Sequence, residues 1–220
     1  MTLLNTIEIN PSKEALRTII WLHGLGADGN DFVPIVSQLG IQDPMQIRFI
    51  FPHAPIQPVT INGGMKMRAW FDIYAANINA KIDTAGINRS KVALEALIEK
   101  ELERGIDSKN IILAGFSQGA VIALTVGLQY EKTLGGILAL SGFLPNASEV
   151  LDHVTNANKK CPIFLAHGMA DPIVPYPLGL ETCEVLMQAG LQVAWHSYYM
   201  PHSVCDEEVR DIGEWVKRTY

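Results

Sequence analysis

The sequence predicts an α/β fold, with one domain in which helices cover both faces of a mostly parallel central sheet. Short apolar runs alternate with helical patterns along the 220 residues, and this alternation is the signature of βαβ units. Several runs are continuously apolar, as strands buried on both faces should be. A chain of this length is typical of one α/β domain, and we expect a single domain over 1–220.

Six apolar runs are the candidate strands of that sheet. In chain order they cover residues 17–23, 46–51, 110–114, 136–140, 162–167 and 192–199. Apolar residues at helical spacing predict a helix over 90–104 that ends at Gly105. Two further apolar stripes contain Cys183 and Cys205, so we expect two more helices with these thiols packed in the core.

The composition excludes several classes of partner and site. The formal net charge is −6 at pH 7, and no run of Lys or Arg forms a stripe that would neutralise phosphates, so we expect no nucleic-acid partner. The three cysteines are far apart and form no CxxC pair, which argues against a disulfide framework and a zinc site. A reducing compartment, the cytoplasm, is therefore expected, and the first residues lack the apolar stretch of a signal peptide.

One stretch has the length of a membrane span. Residues 111–130 carry no charge, and about 20 apolar residues suffice to cross a bilayer. However, the middle of this stretch, GFSQG at 115–119, is polar and rich in glycine. We therefore predict a buried strand, a turn and a buried helix there.

The same segment matches the pattern G-x-S-x-G of a nucleophilic serine. Such a serine needs a sharp turn from a strand into a helix, which lifts its hydroxyl clear of the sheet. Glycines two residues away relieve the crowding at that turn. The alternative is a tight structural turn with an inert serine, but the strand pattern before Ser117 and the helix pattern after it favour the nucleophile.

A serine nucleophile needs a base, normally a histidine that an acid orients. With a serine at this kind of turn, the acid and then the histidine follow in the chain, which leaves His153, His167, His196 and His202. The predicted base is His202, because it lies in a loop just after the last predicted strand, where an α/β sheet carries its reactive groups.

The predicted acid is Asp171, which follows the predicted strand 162–167 by a few residues and lies between the serine and the base. Asp152 is the second candidate, although it follows no predicted strand. The structural alternative for Asp171 is a cap or turn residue, since Asp before Pro favours turns.

Acyl transfer also requires two N–H donors aimed at the oxyanion of the tetrahedral intermediate. One is predicted to be the N–H of Gln118, the residue after the nucleophile. The other is expected from the glycine-rich loop 21–29, which lacks the Lys-Ser/Thr ending of a phosphate-binding loop.

Six motifs occur in the order of a known family: 22–26 (LHGLG), 51–55 (FPHAP), 68–72 (RAWFD), 115–119 (GFSQG), 171–175 (DPIVP) and 202–203 (HS). In these motifs the chain resembles the phospholipase/carboxylesterase family, which includes the acyl-protein thioesterases. The resemblance spans nearly the whole chain and implies an α/β-hydrolase fold without metal or cofactor. It also implies Ser117, Asp171 and His202 as the catalytic triad, with the N–H groups of Leu25 and Gln118 as the oxyanion hole.

The segment 52–88 has no clear period, and so long an irregular stretch in a compact domain is usually functional. We expect about 56–73 to form a mobile flap over the acyl site, with Gly63 and Gly64 as hinges. The predicted apolar surface of the acyl groove consists of Met65, Met67, Trp70, Phe71 and Ile73. The structural alternative is that these side chains pack into the core.

Together these residues predict hydrolysis of a carboxylic ester or thioester through an acyl-enzyme intermediate. The expected partner is a small or lipid-like acyl substrate or an S-acylated protein; peripheral contact with a membrane and formation of a homodimer stay open. Two alternatives on the same scaffold are a non-catalytic acyl-binding or interaction protein and an acyltransferase that excludes water. The complete set of Ser117, Asp171 and His202 weighs against the first alternative.

Overall fold

The computed structural model describes residues 3–75, 78 and 81–220. In chain order the strands are β1 (Thr6–Ile9), β2 (Arg17–Leu22), β3 (Ile47–Pro52), β4 (Ile56–Val59), β5 (Met65–Arg68), β6 (Ile111–Phe116), β7 (Gly136–Leu140), β8 (Ile163–Gly168) and β9 (Val193–Tyr198). The α-helices are α1 (Ile35–Leu39), α2 (Gln42–Met45), α3 (Thr84–Glu103), α4 (Gln118–Gln129), α5 (Ala147–Asp152), α6 (Tyr176–Gln188) and α7 (Asp206–Thr219). Two short 3-10 helices cover Thr60–Asn62 and Ser108–Asn110.

Seven strands form one sheet in the order β1-β3-β2-β6-β7-β8-β9. All neighbours in it are parallel except β1, which pairs with β3 in the antiparallel direction at one edge. The strands β4 and β5 form a separate antiparallel hairpin. Because β2, β3 and β6–β9 run in the same direction, the loops that follow them all leave from one end of the sheet.

Apolar side chains fill both faces of this sheet. Along β2, Ile20 and Leu22 belong to a core cluster with residues of α3, α4 and α6, whereas Ile19 and Trp21 belong to a second cluster with residues of α1 and α7. Successive side chains of a strand point to opposite faces, so the helices lie on both sides of the sheet. This confirms the predicted α/β architecture.

All six predicted strands are present, with ends that differ from the predicted ones by at most two residues. The uncharged stretch 111–130 folds as β6 followed by α4, and among the helices of residues 3–75, 78 and 81–220 none is both long and apolar enough to cross a bilayer. The helix predicted over 90–104 begins earlier, at Thr84, because the side chain of Asp83 caps it by accepting a hydrogen bond from the Gly86 N–H.

Two expectations need adjustment. Part of the supposedly irregular segment 52–88 is the β4–β5 hairpin, which ends at Arg68. Of the two cysteines expected in helix cores, Cys183 is buried on α6, but Cys205 is half-buried and precedes α7 as its cap.

Candidate active site

Ser117 lies between the end of β6 and the start of α4, with φ 55° and ψ −117°. A positive φ is a strained conformation for a residue with a side chain, and such strain clusters at functional sites. The Ser117 N–H donates to the carbonyl oxygen of Leu140 at the end of β7 (2.9 Å). The neighbouring strand thus helps to hold the strained turn.

The two glycines of the GFSQG segment are required by close backbone contacts. A Cβ on Gly115 would lie 2.2 Å from the carbonyl carbon of Gly119, and a Cβ on Gly119 would lie 2.3 Å from the carbonyl oxygen of Leu22. Both distances are far shorter than a carbon contact allows. The turn therefore packs directly on the end of β2. The predicted glycine-rich loop 21–29 leaves the strand there and begins at His23, because Trp21 and Leu22 belong to β2.

Asp171 follows β8 and His202 follows β9, so both leave the same end of the sheet as Ser117. The Nδ1 atom of His202 lies 2.6 Å from the Oδ2 atom of Asp171. The other carboxylate oxygen accepts hydrogen bonds from the N–H groups of Ile173 (2.8 Å) and Val174 (2.9 Å). The carboxylate is buried and held by its own loop, with one oxygen presented to the histidine.

The imidazole of His202 also packs on the ring of Phe116, the residue before Ser117, with ring centroids 4.7 Å apart. This contact connects the loop after β9 to the turn after β6, although β7 and β8 lie between these strands. The structure therefore brings the predicted base next to the predicted acid and beside the turn that carries the serine.

The other candidates are placed elsewhere. His196 lies within β9, with its Nδ1 3.5 Å from Asp211, His153 is exposed after α5, and Asp152 is exposed at the end of that helix. His167 is buried: its Nε2–H donates to the carbonyl of Val174 (2.8 Å).

Sequence reasoning gave His167 no role, yet it supports the loop of the acid. Its Nε2 lies 3.5 Å from the Oδ2 atom of Asp171, while within the described residues its Nδ1 has no hydrogen-bond partner. Burial lowers the pKa of His167 below its usual value and so favours the neutral ring. Its position at the end of the predicted strand 162–167 was the signal in the sequence that it lies at the same end of the sheet as Asp171.

The loop 23–29 reaches the serine through Gly24, where a Cβ would lie 3.5 Å from the Ser117 Cβ. Residues 3–75, 78 and 81–220 provide no hydrogen-bond acceptor for the N–H of either Leu25 or Gln118. The N–H of Gln118 lies at the start of α4, where the helix dipole favours negative charge.

The ring of His23 fixes the geometry of this loop. Its Nε2 accepts a hydrogen bond from the Ala54 N–H (3.1 Å), so the ring proton is on Nδ1 and is donated to the carbonyl of Gly24 (2.7 Å). Burial lowers the pKa of His23, which favours this neutral form. The loop is thereby tied to the chain that follows β3.

An apolar cavity lies beside Ser117. Its apolar lining consists of Leu25, Phe71, Ile73, Ile78, Ile82, Val121, Phe143, Ile173 and Val174. Of the five residues predicted for the acyl groove, Phe71 and Ile73 line this cavity. Trp70 is only 1% exposed and Met65 is 64% exposed; neither these two nor the half-buried Met67 belongs to the lining that the described residues form.

Sequence reasoning missed the walls that come from elsewhere in the chain. Ile173 and Val174 lie in the DPIVP segment, Val121 lies on α4, and Phe143 follows β7. The proximity of the first two to the predicted acid was the available signal. In the part of the chain that the structure describes, no three side chains of His, Cys, Asp or Glu are grouped as metal ligands.

Comparison with known proteins identifies the family and agrees with the observed fold. Residues 5–220 match the model of the phospholipase/carboxylesterase family. Acyl-protein thioesterase 1 of Yarrowia lipolytica is 38% identical, with 94% of each chain covered, and that of Schizosaccharomyces pombe is 42% identical, with 84% of this chain and 81% of the relative covered. The crystal structure of Arabidopsis thaliana SOBER1 has a TM-score of 0.87 at 33% identity over 92% of this chain and 98% of that one. For Zea mays acyl-protein thioesterase 2 the TM-score is 0.85 at 29% identity over 98% of each chain.

Proposed function

The chain belongs to the phospholipase/carboxylesterase family, and we propose that it hydrolyses acyl esters and thioesters with Ser117, His202 and Asp171 as its triad. It is a hydrolase with the α/β-hydrolase fold. The observation that carries the assignment of roles is the 2.6 Å contact of Asp171 with His202, whose ring packs on the residue before Ser117. The acid, the base and the strained turn thus share one end of the sheet.

In the first half-reaction, the Ser117 hydroxyl oxygen attacks the acyl carbonyl carbon while the Nε2 atom of His202 takes the hydroxyl proton. The carbonyl oxygen becomes an oxyanion, which accepts hydrogen bonds from the N–H groups of Leu25 and Gln118. Asp171 holds the imidazole in the tautomer with its proton on Nδ1 and stabilises the imidazolium that forms.

The tetrahedral intermediate then collapses, and the bond from the acyl carbon to the leaving oxygen or sulfur breaks. His202 gives its proton to that leaving group and leaves an acyl-Ser117 ester. In the second half-reaction a water molecule attacks this ester, His202 takes the water proton, and the free acid and the Ser117 hydroxyl are restored.

The cavity beside Ser117 suits an acyl chain, because most of its lining residues are apolar and include Phe71 and Ile73. Relatives that cover most of this chain are named acyl-protein thioesterases, which supports a thioester of an S-acylated protein as the natural substrate. Cytoplasmic localisation, peripheral contact with a membrane and formation of a homodimer remain predictions.

The test is turnover of p-nitrophenyl butyrate and butyrylthiocholine in plain buffer, with a fluorophosphonate probe to mark the nucleophile. We expect hydrolysis of both substrates, and we expect Ser117→Ala to lose both activities and the label. Exposed Ser37 provides the control, since Ser37→Ala should keep all three. Label on another serine would overturn the choice of nucleophile. Turnover only with an added acyl acceptor would indicate an acyltransferase.

A further inference from the structure

Trp70 is buried, and each of its polar groups has a partner. Its backbone N–H donates to the side-chain Oε1 atom of Gln118 (3.0 Å), and its indole N–H donates to the carbonyl oxygen of His23 (2.8 Å). Its carbonyl oxygen accepts a hydrogen bond from the hydroxyl of Ser90 on α3. The residue is therefore fixed on three sides.

Two of these partners belong to the two segments that carry the proposed oxyanion donors. His23 lies two positions before Leu25, and its ring holds the intervening Gly24 carbonyl. Gln118 carries the second donor on its own backbone, and its side-chain Nε2 returns to the carbonyl of Phe71 (2.8 Å). The side chain of Gln118 thus bonds to the peptide group before Trp70 and to the peptide group after Phe71.

A further hydrogen bond holds the other side of Leu25. The N–H of Gly26 donates to the carbonyl of Arg68 (2.9 Å). The short segment Arg68–Phe71, which we call the brace, therefore bonds to the chain before Leu25 and to the chain after it. The same brace bonds to Gln118 at the start of α4.

From these contacts we infer that Trp70 is a positioning residue, which sets the spacing between the two oxyanion-hole donors by bonding to both segments that carry them. The inference rests on the proposed function. Two N–H donors stabilise a tetrahedral oxyanion only when both lie about 2.7–3.1 Å from the place it will occupy. A displacement of about 1 Å within an active site costs roughly 10²-fold in rate.

This role differs from the one that the sequence indicated. Substitution of a residue that lines the acyl groove would change the preference for chain length. Substitution of a residue in the brace changes the rate for every chain length alike. Phe71 and Trp70 are neighbours in sequence but thus have different roles. Phe71 lines the cavity, and Trp70 holds the two segments that carry the proposed oxyanion-hole donors.

The test compares Trp70→Phe with Trp21→Phe. The first variant keeps an aromatic ring but loses the indole N–H that bonds to His23. Trp21 is an equally buried tryptophan, whose indole N–H has no partner among the residues that the structure describes, so its variant controls for ring size. We expect kcat to fall about 10- to 100-fold in Trp70→Phe and to stay within about twofold in Trp21→Phe.

Two readouts separate positioning from general damage. The KM values and the relative rates on esters of different length should be unchanged in Trp70→Phe, and the melting temperature should resemble that of Trp21→Phe. Binding of a trifluoromethyl ketone, which forms an oxyanion adduct with the serine, should weaken in proportion to kcat. A normal kcat in Trp70→Phe, or a change confined to chain-length preference, would overturn the inference.

If Trp70→Phe does not fold, Gln118→Met decides the question from the other side of the brace. It keeps the side-chain length and the backbone donor but removes both side-chain hydrogen bonds, so kcat and ketone affinity should fall together. If kcat and ketone affinity equal those of wild type, the positioning role of the brace is rejected. A wild-type protein without hydrolytic turnover would instead reject the proposed function, whatever the variants do.

Discussion

The Nδ1 atom of His202 lies 2.6 Å from the Oδ2 atom of Asp171, while Oδ1 of the same carboxylate accepts two backbone N–H groups of its own loop. In Asp171→Asn the amide oxygen can keep the loop bonds, but the amide NH₂ then faces Nδ1. The imidazole must move its proton to Nε2, where it can no longer accept the serine proton. We expect kcat to fall by about 10²–10⁴ with the fold intact.

The matched control is Asp152→Asn, on the exposed end of α5. Steady-state kinetics on one ester, with melting temperatures of both variants, check the prediction. A large loss in Asp152→Asn with a small loss in Asp171→Asn would show that the acid is wrongly assigned.

The apolar cavity predicts a preference for medium or long linear acyl chains over acetyl. Each methylene buried against its walls stabilises the complex by about 0.8 kcal/mol, which is close to fourfold in affinity. Four extra methylenes should raise kcat/KM by roughly 10², less the cost of ordering the chain. The measurement is kcat/KM for p-nitrophenyl esters of two to twelve carbons, kept below micelle-forming concentrations.

Two variants assign that preference to the cavity. Ile73→Ser places a hydroxyl on the cavity wall and should flatten the rise with chain length, whereas Met65→Ser changes an exposed residue and should leave it unchanged. The reverse result would place the acyl chain along the β4–β5 hairpin. A steady fall from acetyl onward would remove the cavity from the substrate site altogether.

The β4–β5 hairpin should exchange its amide hydrogens much faster than the sheet. The N–H groups of the exposed residues Gly63 and Gly64 bond only within the hairpin, to the carbonyls of Thr60 and Val59 (both 3.0 Å). Residues 111–113, in contrast, lie in β6, between β2 and β7. Local opening requires few contacts to break in the first case and the sheet to open in the second. Mass-spectrometric hydrogen exchange tests this flap prediction, and equal protection of both segments would contradict it.

Glu208, in the first turn of α7, makes stability depend on pH. Its side chain is fully buried, and neither carboxylate oxygen forms a hydrogen bond with a residue that the structure describes. Burial raises the pKa of Glu208 to about 8, and the nearby Cys205 N–H offsets this only partly, without completing a hydrogen bond. The folded pKa exceeds the unfolded value. The contribution of the protonated carboxyl to the free energy of unfolding is therefore complete below pH 4.5 and is lost as the pH rises to about 8.

Chemical denaturation at several pH values tests this dependence. The free energy of unfolding of wild type should decrease relative to that of Glu208→Gln between pH 4.5 and about 8, by a few kcal/mol in order of magnitude. Glu214→Gln, on the exposed side of the same helix, is the control and should follow wild type. Parallel curves for wild type and Glu208→Gln would show that the carboxyl is ionised in the folded state.

Local sequence patterns were enough to predict the buried strands and the turn at Ser117. Strands such as β7 are continuous apolar runs, and the turn needs two glycines at fixed positions that short-range geometry demands. The edge strand β1 was missed because it is short and only half-buried. The hairpin was missed because β4 contains Pro58 and β5 reads Met-Lys-Met-Arg, without a β-branched or aromatic residue.

The fates of Trp70 and Phe71 show where local patterns stop being informative. Both are large aromatic residues in one motif, yet Trp70 supports the loop near His23 and Phe71 lines the cavity. The difference is decided by partners 47 and 48 positions away in the chain. The periodicity of the motif does not predict such contacts. In the same way, no local pattern predicts the contact of His167 with Asp171.

The order of strands in the sheet predicts when the proposed active centre is complete during folding. Ser117 is positioned by β6 in the middle of the sheet, but His202 follows β9, which is an edge strand and pairs only with β8. We therefore expect an intermediate with only the central strands assembled to hold the serine turn without the proposed base. During refolding, enzymatic turnover should recover together with the pairing of β9 with β8. Spectroscopic signals from the central strands should recover earlier.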